Sequence, residues 1–399
     1  AMAEQWGKKA LLNAGADAVI MQECMVPHWV RGGKDIAVVI YKDESGKPQT
    51  LQLNVLALGN SAGSGAKGVK APMLRVHSFD ELEQVKDEVK GKIVFYDVPF
   101  EDNFVNTFEA YGKNVVYRGI GASRAAKYGA VAVLVRSMTN AADNHPHTGA
   151  MRYTDSTQKI PAAAIGVRDV EKLDALFNKN LSITAELFTY GKFLPDTIGH
   201  NVIGELKGTE YPDEIITLGG HLDSWDVNEG AHDDGAGVVQ TIEVLRALSS
   251  LGYRPKHTLR FVLFANEENG LRGGLKYAAE IKEKNEKAIF ALETDAGGFT
   301  PRGFGFTVKP ESWAKLNEWK RLFEPYYGSL FTEGGDGADI GPLRQSFGTP
   351  VAGFLPDTQR YFDVHHAASD VFENVNMREL KLGAVNIAAL IYLIDKYGL

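Results

Sequence analysis

Residues 215–237 read IITLGGHLDSWDVNEGAHDDGAG, and this stretch indicates the fold more clearly than any other part of the chain. Its apolar run at 215–218 is typical of a strand buried on both faces of a parallel or mixed sheet. His221 and Asp223 follow that strand, and Asp233 lies in a glycine-containing turn before an apolar helical pattern. Because open α/β sheets bind ligands beyond the carboxyl ends of their strands, we expect these side chains to share one site.

The second half of the chain repeats this alternation of strand and helix. Three more apolar runs predict buried strands, at residues 258–265, 289–292 and 351–355. Amphipathic helical patterns lie between and after them. Glu267 and Glu268 follow the first of these runs, and Asp295 follows the second. The pattern therefore predicts an α/β sandwich whose polar side chains meet along one rim of the sheet.

The first half of the chain has a different pattern of predicted secondary structure. Residues 3–13 are predicted as a helix, and two strands are predicted at 35–41 and 51–58. A glycine-rich loop at 59–68 then separates a module of short strands, predicted at 92–96, 130–135, 162–165 and 183–188, with one helix at 121–128. A chain of 399 residues is expected to form two domains.

Composition excludes several classes of function. The net charge of −8 gives no basic surface, so nucleic acid is not an expected partner. No run of about 18 apolar residues exists, so no membrane span is predicted. Cys24 is the only cysteine, and it cannot form an internal disulfide. A zinc site in this chain would therefore be built from nitrogen and oxygen ligands.

The polar residues behind the strands suit a pair of divalent cations. His221 and Asp295 are assigned to one metal, Glu268 and His366 to the other, and Asp233 bridges both. One imidazole and several carboxylate oxygens per ion favour zinc. Three carboxylates and a bridging hydroxide would also balance the charge of two dications, which makes a buried cluster tolerable.

The two remaining carboxylates, those of Glu267 and Asp223, are predicted to have roles other than metal binding. Glu267 and Glu268 are neighbours, so we expect only one to bind a given metal. Glu268 is assigned to the metal and Glu267 to general-base catalysis. Asp223 is expected to accept a hydrogen bond from the imidazole of His221 and so to fix its tautomer.

Each motif also has a plain structural interpretation when taken alone. A single His-x-Asp is usually a surface or capping pair, and Asp233 could simply cap the helix behind it. The run at 267–270 could be a solvated turn, and His365 and His366 could be loop histidines. The arrangement of all these segments behind strands or glycine turns of one domain favours a functional site.

Five motifs together resemble the co-catalytic di-zinc aminopeptidase family: HLDSWD (221–226), DDGAG (233–237), EENG (267–270), TDAGG (294–298) and HHAASD (365–370). Further stretches are similar to its plasma glutamate carboxypeptidase (carboxypeptidase Q) branch, at 117–137, 145–149 and 334–343. The resemblance implies a three-layer sandwich around a mixed, mainly parallel sheet. It also implies an inserted β-rich protease-associated domain, with boundaries at 1–56, 57–188 and 189–399.

The same resemblance implies an activity. It implies two Zn²⁺ per chain and an exopeptidase that acts on dipeptides or peptide N-termini, with Asp223 and Glu267 as catalytic carboxylates. It selects His366 over His365 as the ligand. Asp339 is expected to bind the free α-amino group, and His365 is the candidate for stabilising the oxyanion. Export to an extracytoplasmic location, with the signal absent from this sequence, and a homodimer are also implied.

Two other functions remain open at this point. A glutaminyl cyclase uses a similar fold with one zinc, so the number of bound metal ions separates it from a di-zinc peptidase. A binding ectodomain, like that of the transferrin receptor, shares the architecture but has a degraded site. Hydrolysis of unblocked dipeptides separates the latter from a peptidase.

Overall fold

The computed structural model describes residues 2–154, 156–179 and 181–399. Within these ranges the strands are β1 Ala18–Val30, β2 Ile36–Lys42, β3 Pro48–Leu53, β4 Val55–Ala57, β5 Val69–Val76, β6 Ile93–Tyr96, β7 Ala132–Arg136, β8 Ala162–Ile165, β9 Thr184–Phe188, β10 Lys192–Leu206, β11 Tyr211–His221, β12 His257–Phe264, β13 Lys287–Glu293, β14 Pro301–Thr307, β15 Leu330–Glu333 and β16 Val351–Pro356.

The helices of the same ranges are α1 Met2–Asn13, α2 Phe79–Gln84, α3 Thr107–Ala126, α4 Val167–Asn178, α5 Ala236–Ser250, α6 Glu267–Gly270, α7 Arg272–Glu283, α8 Ser312–Phe323, α9 Gly341–Phe347, α10 Tyr361–Val364 and α11 Met377–Tyr397. None of the helices in the described part of the chain has both the length and the apolar character that crossing a membrane requires.

The chain divides into two compact units. The first contains the residues up to Val26 together with Asp196–Tyr361 and Asp370–Leu399, and the second contains Pro27–Pro195 with Phe362–Ser369. The first unit is built on an eight-stranded sheet in the order β1-β10-β12-β11-β13-β16-β14-β15. Strands β12, β11, β13 and β16 are mutually parallel, whereas β10 pairs antiparallel with β12 and β14 pairs antiparallel with β16.

Helices cover both faces of this first sheet. Along β12, Phe261 and Leu263 join a core formed with α1, α5, α8 and α11, whereas Val262 and Phe264 join a core formed with α7 and α9. Alternation of this kind follows from the two-residue period of a strand, and it buries β12 on both faces. The predicted three-layer α/β sandwich with a mixed sheet is confirmed.

The second unit is also built on an eight-stranded sheet, in the order β3-β2-β9-β5-β6-β7-β8-β4. Along β6, Ile93 and Phe95 pack into one core, and Val94 and Tyr96 pack into another on the opposite face. Helix α4 contributes to the first core, and helices α2 and α3 contribute to the second.

Several elements differ from the sequence predictions. The helix predicted at 121–128 is the end of α3, which begins fourteen residues earlier behind an Asn106 cap whose side chain accepts from the Phe108 amide. Glycines and polar residues weaken the apolar period of its first turns. The strand predicted at 51–58 is divided at Asn54, whose amide donates to the Asp169 carboxylate at 2.6 Å.

Candidate metal centre

Three predicted ligands meet in the first unit. The Nε2 atom of His221 lies 3.2 Å from Oδ1 of Asp233 and 3.6 Å from Oδ1 of Asp295. One ligand atom from each of the three residues lies within 4.8 Å of the other two. His221 is 1% exposed and Asp233 is 5% exposed, so the group is largely removed from water.

The sheet register explains how His221 and Asp295 meet. Strands β11 and β13 are parallel neighbours in which Gly219 pairs with Glu293. His221 and Asp295 therefore stand two residues beyond the same rung of the ladder, at the carboxyl end of the sheet. Asp233 reaches the same point from the turn before α5. Parallel strands end at the same edge of a sheet, which is why the sequence predicts that these segments converge.

The imidazole of His221 is held in the tautomer that a metal ligand needs. Its Nδ1 lies 2.8 Å from the main-chain carbonyl oxygen of Asp223. Since a carbonyl can only accept, Nδ1 carries a proton, so Nε2 is the ring nitrogen that faces the two carboxylates and is left to bind a metal. The carboxylate of Asp223 is farther from Nδ1, at 3.9 Å, so the carbonyl makes the contact that we expected from the side chain.

The Asp223 carboxylate instead holds the two neighbouring glutamates. Its Oδ1 accepts from the Glu267 amide at 3.1 Å, and its Oδ2 accepts from the Glu268 amide at 3.3 Å. These amides belong to the first turn of α6, where main-chain N–H groups lack helical partners. One carboxylate therefore fixes the backbone of both glutamates.

Two further carboxylates fix the ligand backbones. Oδ2 of Asp234 accepts from the His221 amide at 3.1 Å. The carboxylate of Asp370 accepts from the amides of His232 and Asp233, at 2.8 and 3.1 Å. Sequence analysis did not predict either role. The adjacent acids of the DDGAG motif before a helix were the available signal for Asp234, because an acid there can bind free amides.

Burial and neighbouring charges shift the pKa values of the side chains in this cluster. Burial would lower the pKa of His221, but hydrogen bonding to Asp233 and Asp295 outweighs it and leaves this pKa well above its usual value. Burial raises the pKa of Glu267 strongly, and the charges of Asp295 and Glu268 raise it further. Crowded buried carboxylates of this kind are stabilised by a bound cation.

Asp339 lies in a second acidic group of the same unit. It is 0% exposed, and neither carboxylate oxygen has a hydrogen-bond partner among the described residues. Oε2 of Glu293 accepts from the amides of Asp339 and Ile340, both at 2.9 Å. Burial raises the pKa of Asp339 well above its usual value, and the charges of Glu293 and Glu267 add to this shift.

His365 and His366 belong to the second unit, where both are buried. Their rings stack with centroids 3.6 Å apart. Nδ1 of His366 lies 3.2 Å from the Thr148 carbonyl and 3.3 Å from Nη1 of Arg118. A ring nitrogen beside a carbonyl is the arrangement that His221 also has. His366 adopts a positive φ of 60°.

The sequence of this chain is similar to those of known peptidases. The family model described as peptidase family M28 matches residues 201–391. Carboxypeptidase Q of Xenopus laevis is 39% identical over 363 residues, which is 91% of this chain and 74% of that protein. Carboxypeptidase Q of Homo sapiens is 36% identical over 384 residues, 96% of this chain and 78% of that protein.

Solved structures of peptidases are also similar to this chain. A peptidase M28 precursor from Shewanella amazonensis is 31% identical with a TM-score of 0.93, covering 100% of this chain and 88% of that one. A zinc aminopeptidase from Bacillus subtilis shares the fold, at 20% identity and a TM-score of 0.68, with coverages of 99% and 89%.

Proposed function

The chain belongs to peptidase family M28 and is a metallopeptidase, and we propose that it is a zinc-dependent exopeptidase with two zinc ions per chain. The observation that carries the proposal is Nε2 of the buried His221, which faces the carboxylates of Asp233 and Asp295. Without a cation, the Asp233 and Asp295 carboxylates would repel one another, and only a proton on His221 would offset their charge. One imidazole nitrogen and carboxylate oxygens form a donor set that zinc accepts.

The residues of the chain would then divide the chemistry. His221, Asp233 and Asp295 would hold one ion, and Glu268 and His366 remain the proposed ligands of a second ion that shares Asp233. Zinc, when bound, acts as a Lewis acid on the scissile carbonyl and activates water for attack. Glu267 would take the proton from that water and pass it to the leaving amine, and its raised pKa suits this transfer.

Dipeptides and peptide N-termini are the proposed substrates. The buried Asp339 carboxylate would bind the free α-amino group, since an ammonium ion would offset the repulsion between Asp339 and Glu293. His365 stays the proposed group for stabilising the oxyanion. The inserted domain at 57–188, the homodimer and the extracytoplasmic location also remain proposals from the family resemblance.

The test combines metal content with substrate choice. The metal-free chain is reconstituted with zinc, its metal content is measured by mass spectrometry, and it is assayed with free and N-acetylated dipeptides. The proposal predicts two zinc ions per chain, hydrolysis of free dipeptides, and loss of hydrolysis on acetylation. Absence of zinc-dependent hydrolysis of every dipeptide would overturn it, and one tightly bound zinc would overturn the two-ion site.

A matched pair of variants links the activity to the proposed ligands. Asp295→Asn should lose zinc and activity because a neutral amide is a poor ligand. Asp213→Asn, at an exposed position of the same unit, should retain both. Equal zinc content in the two variants would exclude Asp295 as a ligand.

A further inference from the structure

Asn201 is a fully buried side chain that no predicted motif includes. It lies in β10 beside the end of β12 and is 0% exposed. A buried amide must place its donors and acceptor against partners, or its burial is costly. The partners of Asn201 indicate what it does.

Its amide binds both ends of the segment that carries Glu267. Oδ1 of Asn201 accepts from the Ala265 amide at 2.9 Å, and Nδ2 donates to the Gly273 carbonyl at 2.9 Å. The Gly273 amide donates to the Ala265 carbonyl, also at 2.9 Å. Residues 265–273 therefore form a closed loop, and Asn201 holds its two ends together.

The loop requires such support because of its backbone. Asn266 and Leu271 have positive φ values of 62° and 54°. Side chains other than glycine adopt this left-handed region at an energetic cost, and the surrounding structure must maintain it. Between these two residues lies the single turn α6, which begins with Glu267.

The orientation of Asn201 is fixed from its other side. Its Nδ2 also donates to Oε1 of Gln22 at 2.7 Å, and Nε2 of Gln22 donates to Oε2 of Glu280 at 2.6 Å. Glu280 in turn forms an ion pair with Lys284. With Nδ2 facing two carbonyl oxygens, the Asn201 amide cannot rotate without losing three hydrogen bonds.

We propose that Asn201 is a positioning residue for Glu267, acting through the closed loop 265–273. The inference rests on the proposed function, because it assumes that Glu267 transfers the proton. Asp223 accepts from the amides of the first turn of α6, and Asn201 binds the two ends of the loop. The side chain of Asn201 touches neither metal ligand nor substrate in this account, so it is not itself a catalytic residue.

The matched control is Asn386, which is 1% exposed and lies in α11. Its Nδ2 donates to the carbonyls of Tyr326 and Leu382, at 3.0 and 2.8 Å. Asn386→Ser therefore removes two buried amide-to-carbonyl hydrogen bonds without touching the loop. Comparison with Asn201→Ser separates loss of positioning from general loss of stability.

The experiment compares three zinc-saturated proteins, the parent, Asn201→Ser and Asn386→Ser. For Asn201→Ser we expect kcat to fall about 10- to 100-fold with KM little changed, since a small displacement of a reacting group has this effect. Amide hydrogen exchange over residues 265–273, measured in the metal-free proteins, should accelerate in Asn201→Ser and stay at the parental rate in Asn386→Ser.

The outcomes are separable. A folded, zinc-loaded Asn201→Ser with parental kcat overturns the inference, and so does an equal loss of kcat in Asn386→Ser. If Asn201→Ser does not fold, Gln22→Leu decides: faster exchange over 265–273 with lower kcat supports the inference, and parental values overturn it. If the zinc-loaded parent has no peptidase activity, the proposed function is wrong. The hydrogen-exchange measurement does not depend on that activity, so it still tests whether Asn201 holds the loop.

Discussion

At the scale of single residues, the main chain orients the ring of His221, because the Asp223 carbonyl oxygen lies 2.8 Å from its Nδ1. His221, Asp233 and Asp295 were predicted as one group because each follows a strand or a glycine turn, and the structure brings them together. Which atom of Asp223 faces the imidazole was not predictable. Both its carbonyl and its carboxylate can accept a hydrogen bond, and only the three-dimensional path of the chain after β11 decides between them.

Replacing the proposed base tests the division of labour between the two glutamates. Glu267→Gln keeps the size of the side chain but cannot accept a proton. We expect kcat to fall by about 10²- to 10⁴-fold, with zinc content unchanged. Steady-state kinetics and metal analysis on the same sample check this. Unchanged turnover would reject Glu267 as the base.

Asp223→Asn tests the backbone role of Asp223. An amide can accept from only one of the Glu267 and Glu268 amides, and its NH₂ group would face the other. We expect zinc affinity or kcat to fall by about 10- to 100-fold, as for other groups that orient ligands. Competition with a zinc chelator measures the affinity. A variant with the parental zinc affinity and the parental kcat would show that the Glu267 and Glu268 amides do not need a carboxylate acceptor.

At the scale of elements, buried parallel strands were predictable and irregular ones were not. Continuous apolar runs marked β11, β12, β13 and β16 because both faces of each strand are covered. Strand β1 contains Gln22, Glu23 and Pro27 and has no apolar period. Strand β14 alternates glycine with phenylalanine over residues 303–306, so two of its seven positions carry no side chain that would mark a strand.

The start of α5 depends on close backbone approach. A Cβ added at Gly237 would overlap the Thr294 carbonyl oxygen and the Asp234 carboxylate, so α5 would have to shift. Gly237→Ala should lower the free energy of unfolding by about 1–3 kcal/mol, the usual cost of overpacking. Chemical denaturation of the metal-free protein measures this.

Gly341→Ala is the control for this prediction. Its Cβ would meet only Gln345, at 3.8 Å, and the residue has an ordinary helical position at the start of α9. Its effect should stay within about 1 kcal/mol, the scale of intrinsic helix propensity. Similar losses in the two variants would contradict the steric explanation for Gly237.

At the scale of the whole molecule, the alternation of strand and helix in the second half predicted an α/β sandwich, and the family resemblance implied its three layers. One helix was predicted in the second unit, at 121–128, whereas its described residues contain α2, α3 and α4. The sequence could not predict the buried acidic pair of Glu293 and Asp339, which local sequence does not mark as buried.

That acidic pair predicts how stability varies with pH. Burial, and then the charge of Asp295, raises the pKa of Glu293 to about 8. Between the ordinary glutamate pKa of about 4.3 and this value, the folded state holds a proton that the unfolded chain has lost. Glu293 should therefore make the free energy of unfolding of the metal-free protein fall as pH rises from about 4.3 towards 8.

Glu293→Gln isolates the contribution of this group. The neutral amide does not titrate, so the decline in unfolding free energy between pH 5 and about 8 should become shallower in the variant. Urea denaturation at several pH values, with chelator present, provides the comparison. A slope equal to that of the parent would show that Glu293 does not carry the effect.

The central claim is that His221, Asp233 and Asp295 hold a zinc ion. Anomalous diffraction at the zinc absorption edge, from a crystal of the zinc-reconstituted chain, tests it most directly. We expect a peak about 2.0–2.2 Å from Nε2 of His221 and from a carboxylate oxygen of each aspartate, with a second peak that also contacts Asp233. Density for zinc only elsewhere, or for none among these three side chains, would contradict it.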